Sequence, residues 1–431
     1  MERRNPNPRL VSYALPEIDR FIFFNPASAS FVVTNSTGHD TITRYLAGAL
    51  EPDPFIEKLN EPLIFQEVEA TSGYGLIPQR LIVELTTACN LRCKTCYMSA
   101  SLSQDDEMTT EEVTSLLRDA AAGGTETVAF IGGEPLMRRD LPLLVGFALD
   151  NFSDVMISTN GTMIDEGFLS RFSRKRNLAI QVSMDGPDEA SNDAIRGRGS
   201  FAKASNLLDL AGDHGIRTAL SSVLNRHNYN LVGQICDFAA GKGCFMTIFH
   251  KVHVFGRAQD FPEILPSKAE LVHAMGVLLQ RFDQYERAGK MIVDFPHNRC
   301  FRGDSALDTA FLGCHFGRAS AYVTSGGNLA CCSHLRDGEF RCGNLRSQSL
   351  LDIWQNSPGL DRMRQMTVED IPSCRECQFK YMCRGSCRAD ALGHAGDISG
   401  GPHDCDALKA YYAYVLDYYA RTTEPVTPQE G

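Results

Sequence analysis

The sequence predicts an α/β chain centred on a parallel sheet wound with helices, a partial (β/α)6 barrel. Three observations predict it. Between Leu81 and about His250, six short apolar runs alternate with helical patterns. The 431 residues exceed the roughly 150 of an average domain, so smaller domains should flank the sheet. The 15 cysteines are clumped, and most lie beyond it.

The first 75 or so residues form a separate segment. Phe21–Phe24 and Phe31–Thr34 read as short strands around Asn25-Pro26. After a Ser36-Thr37-Gly38 turn, Ile42, Tyr45, Leu46 and Leu50 recur at helical spacing. Residues 76–290 hold the barrel. Its strands are Leu81–Leu85, Thr127–Ile131, Val155–Ser158, Ala179–Ser183, Thr218–Val223 and Phe245–Phe249. Thr109 and Glu112 form a capping box for the first helix, whose apolar face is Val113, Leu116, Leu117, Ala120 and Ala121. Gly123-Gly124 stops it. Pro142–Asn151, with Pro142 at its first position, then Glu166–Arg174, Ala202–Gly212 and Leu231–Ala240 supply later helices. Alternation of this kind gives right-handed crossovers, with ligands at the carboxyl ends of the strands, as in a TIM-type barrel. Residues 291–420 are loop-rich and cysteine-rich, with helices at Ser349–Trp354 and Ala407–Tyr419. Residues 421–431, rich in Pro, Glu and Thr, read as disordered. There is no internal repeat.

Charge narrows the function. Forty-two basic against 53 acidic residues give −11, with no long block of either sign. A dedicated nucleic-acid binder needs a basic face, so that class is excluded. No apolar run approaches the roughly 18 residues of a membrane span, and the start lacks a signal-peptide pattern. The expectation is a cytoplasmic chain in a reducing compartment, where cysteines ligate metals or clusters rather than pair.

Cys89-x3-Cys93-x2-Cys96 follows the first barrel strand directly. Three thiolates in eight residues suit an iron–sulfur cubane corner and leave one metal position open to an exogenous ligand. On spacing alone, the alternative is a zinc knuckle with a distant fourth ligand. The loop Cys89-Asn90-Leu91-Arg92-Cys93-Lys94-Thr95-Cys96-Tyr97 resembles the signature of the radical S-adenosylmethionine (SAM) enzymes. Further motifs follow successive strands in that family's order. They are Gly132-Gly133-Glu134-Pro135, Ser158-Thr159-Asn160-Gly161, and Ser183-Met184-Asp185-Gly186, with Arg196 shortly after.

The resemblance implies a [4Fe–4S] cluster on Cys89, Cys93 and Cys96 whose open iron binds SAM. It assigns SAM contacts to Gly132, Gly133, Glu134, Pro135, Ser158, Asn160, Ser183, Asp185 and Arg196. The glycines would let backbone approach the SAM amino group, Glu134 would pair with its charge, and Arg196 would reach the carboxylate. Electron transfer into SAM would release a 5′-deoxyadenosyl radical that abstracts hydrogen from a substrate carbon. A reductant such as flavodoxin or ferredoxin is implied. Thr95 stands where many members carry an aromatic residue, so adenine packing must come from elsewhere, with Tyr97 one candidate.

Cys374-x2-Cys377-x5-Cys383-x3-Cys387, then Cys405, with Cys314 and Gly327-x4-Cys332 upstream, is similar to the seven-cysteine SPASM extension. That family binds two auxiliary iron–sulfur clusters. Its ligation implies Cys314, Cys332 and Cys387 for one cluster, and Cys374, Cys377, Cys383 and Cys405 for the other. Cys300 is a candidate fourth ligand of the first, and Cys331 an alternative to Cys332, since Gly326-x4-Cys331 also fits. Structural zinc is the competing reading. Cys236, Cys244 and Cys342 read as packed thiols.

SPASM enzymes include maturases of ribosomally made peptides and sulfatase maturases. The latter carry an aspartate after the second upstream cysteine, where this chain has Ser333-His334. The N-terminal segment resembles, in pattern, a winged-helix-like element that captures a leader peptide by strand addition. The leading expectation is therefore a radical SAM enzyme that crosslinks a precursor peptide through a thioether or carbon–carbon bond. The alternatives are a dehydrogenase of a small alcohol or sugar in which the N-terminal segment is only packing, a sulfatase-maturase-like enzyme, and a non-catalytic metal-binding scaffold.

Overall fold

The computed structural model describes residues 10–25, 30–60, 74–102, 106–298, 314, 316–336 and 338–428. It comprises two compact units: Met1–Ser72, His297–Gly313 and Met366–Gly431 form one, and Gly73–Pro296 with Cys314–Gln365 form the other. The cysteine-rich stretch is thus shared between units rather than forming a third body in sequence.

The first unit opens with β1 (Val11–Leu15), β2 (Arg20–Asn25) and β3 (Ser30–Thr34), antiparallel in that order. Asn25-Pro26 falls partly outside the described residues. Ser36-Thr37-Gly38, expected as a turn, is the first turn of α1 (Ser36–Leu46), because the Asn35 side chain caps the helix by accepting from Gly38 N–H at 2.9 Å. Leu50 lies beyond that helix. The apolar face of α1 meets Phe23, Val32, Phe55, Ile56 and Leu59 of its own unit, the last three from α2 (Pro54–Asn60). The sequence reading lacked β1 and α2.

In the second unit the six expected strands are present and neighbouring. They are β4 (Arg80–Glu84), β5 (Thr127–Ile131), β6 (Asp154–Thr159), β7 (Leu178–Ser183), β8 (Arg217–Leu224) and β9 (Met246–Lys251). Every pair is parallel, as in a partial TIM-type barrel. Between them run α3 (Thr110–Gly123), α4 (Leu141–Asn151), α5 (Glu166–Arg171), α6 (Glu189–Arg196), α7 (Ser200–Asp213) and α8 (Val232–Gly241). The capping box on α3 forms as read, and Gly124 ends that helix in the left-handed region at φ 96°. Pro142 sits at the second position of α4, not the first.

The sheet then exceeds six strands. After α9 (Lys268–Arg281), β10 (Ile292–Asp294) adds parallel to β9. At the other edge β11 (Ser320–Val323) adds parallel to β4, followed by antiparallel β12 (Asn328–Ala330) and β13 (Arg341–Asn344). The helices α10 (Leu350–Asn356) and α11 (Pro358–Gln365) finish this unit. Buried Trp354 donates its indole N–H to the Gly75 carbonyl at 2.9 Å.

The chain returns to the first unit through α12 (Lys380–Cys383), α13 (Arg388–Ala395) and α14 (Cys405–Thr422). The tail does not read as disordered over its described part. Arg421 and Thr422 close α14, and Val426 N–H donates to the Val33 carbonyl at 2.7 Å. A Pro-rich composition excludes helix, but it does not exclude an extended segment laid on a sheet edge.

Candidate functional site

The cysteine loop leaves the carboxyl end of β4, where crossover geometry places ligands. It is pinned from several directions. Cys89 N–H donates to Ser101 O at 3.1 Å and Lys94 N–H to Ile195 O at 3.0 Å. Arg257, just past β9, reaches across with Nη1 to Cys93 O at 2.9 Å and Nη2 to Ala100 O at 2.7 Å. Its backbone N–H donates to Cys96 O at 2.9 Å. The preceding Gly256 has φ +56°, and a Cβ there would lie 2.3 Å from Tyr97 O, so only glycine fits. Sequence reading missed this clamp. Its signal was Gly-Arg at the carboxyl end of a barrel strand.

Cys89, Cys93 and Cys96 are unpaired by disulfide and partly accessible. Burial pushes the Cys93 thiol up to about 11, with Arg196 pulling it down and Asp185 and the other two cysteines raising it further. Burial also raises Cys89. Three adjacent thiols, of which burial raises Cys89 and Cys93, fit a soft-metal cluster, which stabilises thiolates by direct bonding. The residues present therefore suit the implied cluster.

The neighbouring motifs converge on this loop, though not all as expected. Gly133 N–H donates to Thr86 O and Glu134 N–H to Ala88 O, both at 2.7 Å. A Cβ on Gly133 would sit 2.1 Å from Ala88 O. The close approach that demands glycine is thus to the chain entering the cysteine loop. Glu134 is fully buried and accepts from Thr159 Oγ1 at 2.8 Å, Asn160 N–H at 2.7 Å and Leu136 N–H at 3.2 Å. Its carboxylate ties the end of β5 to the end of β6. Burial pushes it up to about 6, against those three hydrogen bonds. Pro135 begins a short 3₁₀ turn after it.

Asn160 joins the third motif to the loop, its Nδ2 lying 2.8 Å from Asn90 Oδ1 and 3.9 Å from Cys89 Sγ. Ser158 accepts from Gln181 Nε2 at 3.0 Å, and Ser183 ends β7 opposite Ser221. Arg196 lies against the cluster loop, with its carbonyl 3.9 Å from Cys93 Sγ. Its Nε is ion-paired at 2.9 Å with the buried carboxylate of Asp185. Asp185 also accepts from Val223 N–H at 2.7 Å. Asp185 therefore positions Arg196.

Beside the loop, a polar cavity of about 460 Å³ is lined by Tyr97, Asp106, Ser325, Asn328, Arg336 and Arg341, among others. At its base Glu84, fully buried, receives the Tyr322 hydroxyl, Ser325 Oγ at 3.1 Å and both Nη atoms of Arg336, at 2.7 and 3.2 Å. Tyr97, a candidate for packing adenine, turns to this side. Burial pushes its hydroxyl up, and its ring lies 4.8 Å from that of His334. His334 also meets His253 and Phe255, at 4.8 and 5.2 Å, and shares a hydrogen bond with Ser333 at 3.1 Å.

The C-terminal cysteines divide by place. Cys374, Cys377, Cys383 and Cys405 line one small crevice with Phe379 and Tyr412, and Cys387 is not among its lining residues. Burial raises Cys374, Cys383 and Cys405, and neighbouring cysteines raise each further. Cys387 stands before α13 in the same unit, while Cys314 and Cys332 belong to the other. Cys331 is turned to Cys342, with sulfurs 3.4 Å apart, whereas Cys332 Sγ accepts from Leu335 N–H at 3.2 Å. Cys236 and Cys244 are buried, and Cys244 Sγ accepts from Thr218 Oγ1 at 3.7 Å. Cys300 lies outside the described residues. Among the described residues, no helix is long and apolar enough to cross a membrane.

Comparison with known proteins agrees with this geometry. Residues 83–239 match the Radical SAM superfamily, and residues 314–378 match SPASM, an iron–sulfur cluster-binding domain. Mycofactocin maturase MftC of Mycobacterium ulcerans is 29% identical over 344 residues, covering 76% of this chain and 88% of its own. AdoMet-dependent heme synthase of Nitratidesulfovibrio vulgaris is 27% identical, covering 73% and 88%. PqqA peptide cyclase of Granulibacter bethesdensis is 27% identical, covering 78% and 89%. The fold is shared with Streptococcus suis SuiB bound to precursor peptide SuiA, at TM-score 0.64 and 14% identity, covering 94% of this chain and all of that one. The chain thus carries a radical SAM domain and a SPASM domain, and its cofactors are SAM, the [4Fe–4S] cluster that binds it, and auxiliary iron–sulfur clusters.

Proposed function

We propose that this enzyme modifies a ribosomally made precursor peptide by forming a thioether or carbon–carbon crosslink. The observation that carries the reading is the polar cavity opening beside Cys96-Tyr97, on the carboxyl side of β4 and β11. Its volume suits one or two side chains of a peptide, and its lining offers both charges and amides. The relative named PqqA peptide cyclase supports a peptide substrate.

Cys89, Cys93 and Cys96 hold the SAM-binding cluster. When bound, that cluster supplies one electron to SAM, which yields the radical that removes a substrate hydrogen. The protein's own work is positioning. Arg257 and Asn160 fix the loop, Asp185 orients Arg196 beside it, and the backbone of Gly132 and Gly133 shapes its entrance. Cys374, Cys377, Cys383 and Cys405 hold one auxiliary cluster, and Cys332 rather than Cys331 serves the other, because Cys331 is turned to Cys342.

The test is anaerobic incubation of the reconstituted enzyme with SAM, reductant and a candidate peptide encoded beside its gene. Loss of two hydrogens from the peptide, matched to 5′-deoxyadenosine, supports the proposal. Hydrogen loss from a small alcohol or sugar instead would establish the dehydrogenase reading.

A further inference from the structure

Among the described residues, β3 is an edge of the three-stranded sheet and pairs with β2 alone. An exposed strand edge is a template for another extended segment. Here the chain's own tail takes that place. The Val33 carbonyl, turned away from β2, accepts from Val426 N–H at 2.7 Å. The Val426 side chain packs on the cluster of Phe23, Val32, Ile42 and Phe55. The helix before it is anchored to the same sheet, with Tyr419 stacked on Phe31 at 5.0 Å and Arg421 paired with Glu17 at 3.0 Å.

The tail sequence limits how well it can hold. In Glu424-Pro425-Val426-Thr427-Pro428, Pro428 stands two residues after Val426 and lacks the N–H that would make the next bond to β3, so the ladder stops there. A peptide without a proline at that place could make the same contact and add a further bond along β3. A self-limited strand on an apolar edge is displaceable by a better one.

We propose that the C-terminal tail is a built-in occupant of the β3 edge, competing with an extended, apolar segment of the peptide substrate. This rests on the peptide reading above. A tail seated about nine-tenths of the time weakens the apparent affinity for an incoming strand about ten-fold.

The test uses a fluorescein-labelled synthetic peptide, Thr423–Gly431, added to the reconstituted full chain and to one ending at Thr422, which keeps α14 whole. The shortened chain should bind the peptide about ten-fold more tightly. A full-length Val426→Asp chain should match it, which controls for folding, and a labelled peptide carrying Val426→Asp should not bind. Equal binding to the full and shortened chains, or no binding to either, overturns the proposal. Tight binding of the tail peptide alongside failure to modify any precursor would instead count against the peptide-crosslinking reading and leave the edge contact standing.

Discussion

Arg257 donates to the carbonyl of Cys93 at 2.9 Å across 164 residues of sequence, and thereby fixes the middle of the cluster loop. Arg257→Ala removes this bond and its partner to Ala100. Hydrogen bonds from charged groups contribute about 1.5–3 kcal/mol each, so the loop should loosen markedly. We expect loss of up to the roughly four irons of one [4Fe–4S] cluster, with the auxiliary iron retained. Arg257→Lys should recover only part, because a single ammonium cannot reproduce the planar fork. Iron and sulfide analysis checks this.

The pair of Glu84 and Arg336 is a second long-range tie. Glu84→Gln leaves a half-buried guanidinium without its counter-charge, and breaking such a pair costs about 3–5 kcal/mol. The denaturation midpoint should fall accordingly. The double variant Glu84→Gln, Arg336→Met should recover much of the loss.

Gly133→Ala puts a methyl group 2.1 Å from the Ala88 carbonyl, a backbone atom that cannot swing away. The chain entering the cluster loop must shift, at a cost of about 1–3 kcal/mol in overpacking. Reconstituted iron should drop with it. Gly146→Ala, which meets nothing within 4 Å, is the control.

Glu134 gives a pH dependence of known sign. Burial raises its folded value to about 6, above the ordinary 4.5 of the unfolded chain. The folded state therefore binds the proton more tightly. Its contribution is complete below about pH 4.5 and is lost as pH rises through about 6, amounting to about 2 kcal/mol. Unfolding free energies measured from pH 4.5 to 7.5 should show this fall, and Glu134→Gln should flatten it.

These residues also show what the sequence could and could not disclose. The barrel strands were legible because strands of a parallel sheet are near-continuous apolar runs, such as Val128–Ile131. The cluster cysteines were legible because ligand spacing is local. Arg257 and Glu84 were not, since each acquires its role from a partner 164 or 252 residues away. Glu134 was found, but its motif does not reveal that Thr159 and Asn160 also donate to the carboxylate. β10 and β12, with three residues each, are too short to carry a period.

The central claim is that Cys89, Cys93 and Cys96 hold the cluster that acts on SAM, separately from the C-terminal cysteines. The direct measurement is 5′-deoxyadenosine formation, with iron content, in the wild-type protein and a Cys89, Cys93, Cys96→Ala triple variant, both reconstituted anaerobically. The account predicts roughly 12 irons and SAM cleavage in the wild type, against roughly eight irons and no cleavage in the variant. A triple variant that still makes 5′-deoxyadenosine, or that loses no iron, would contradict it.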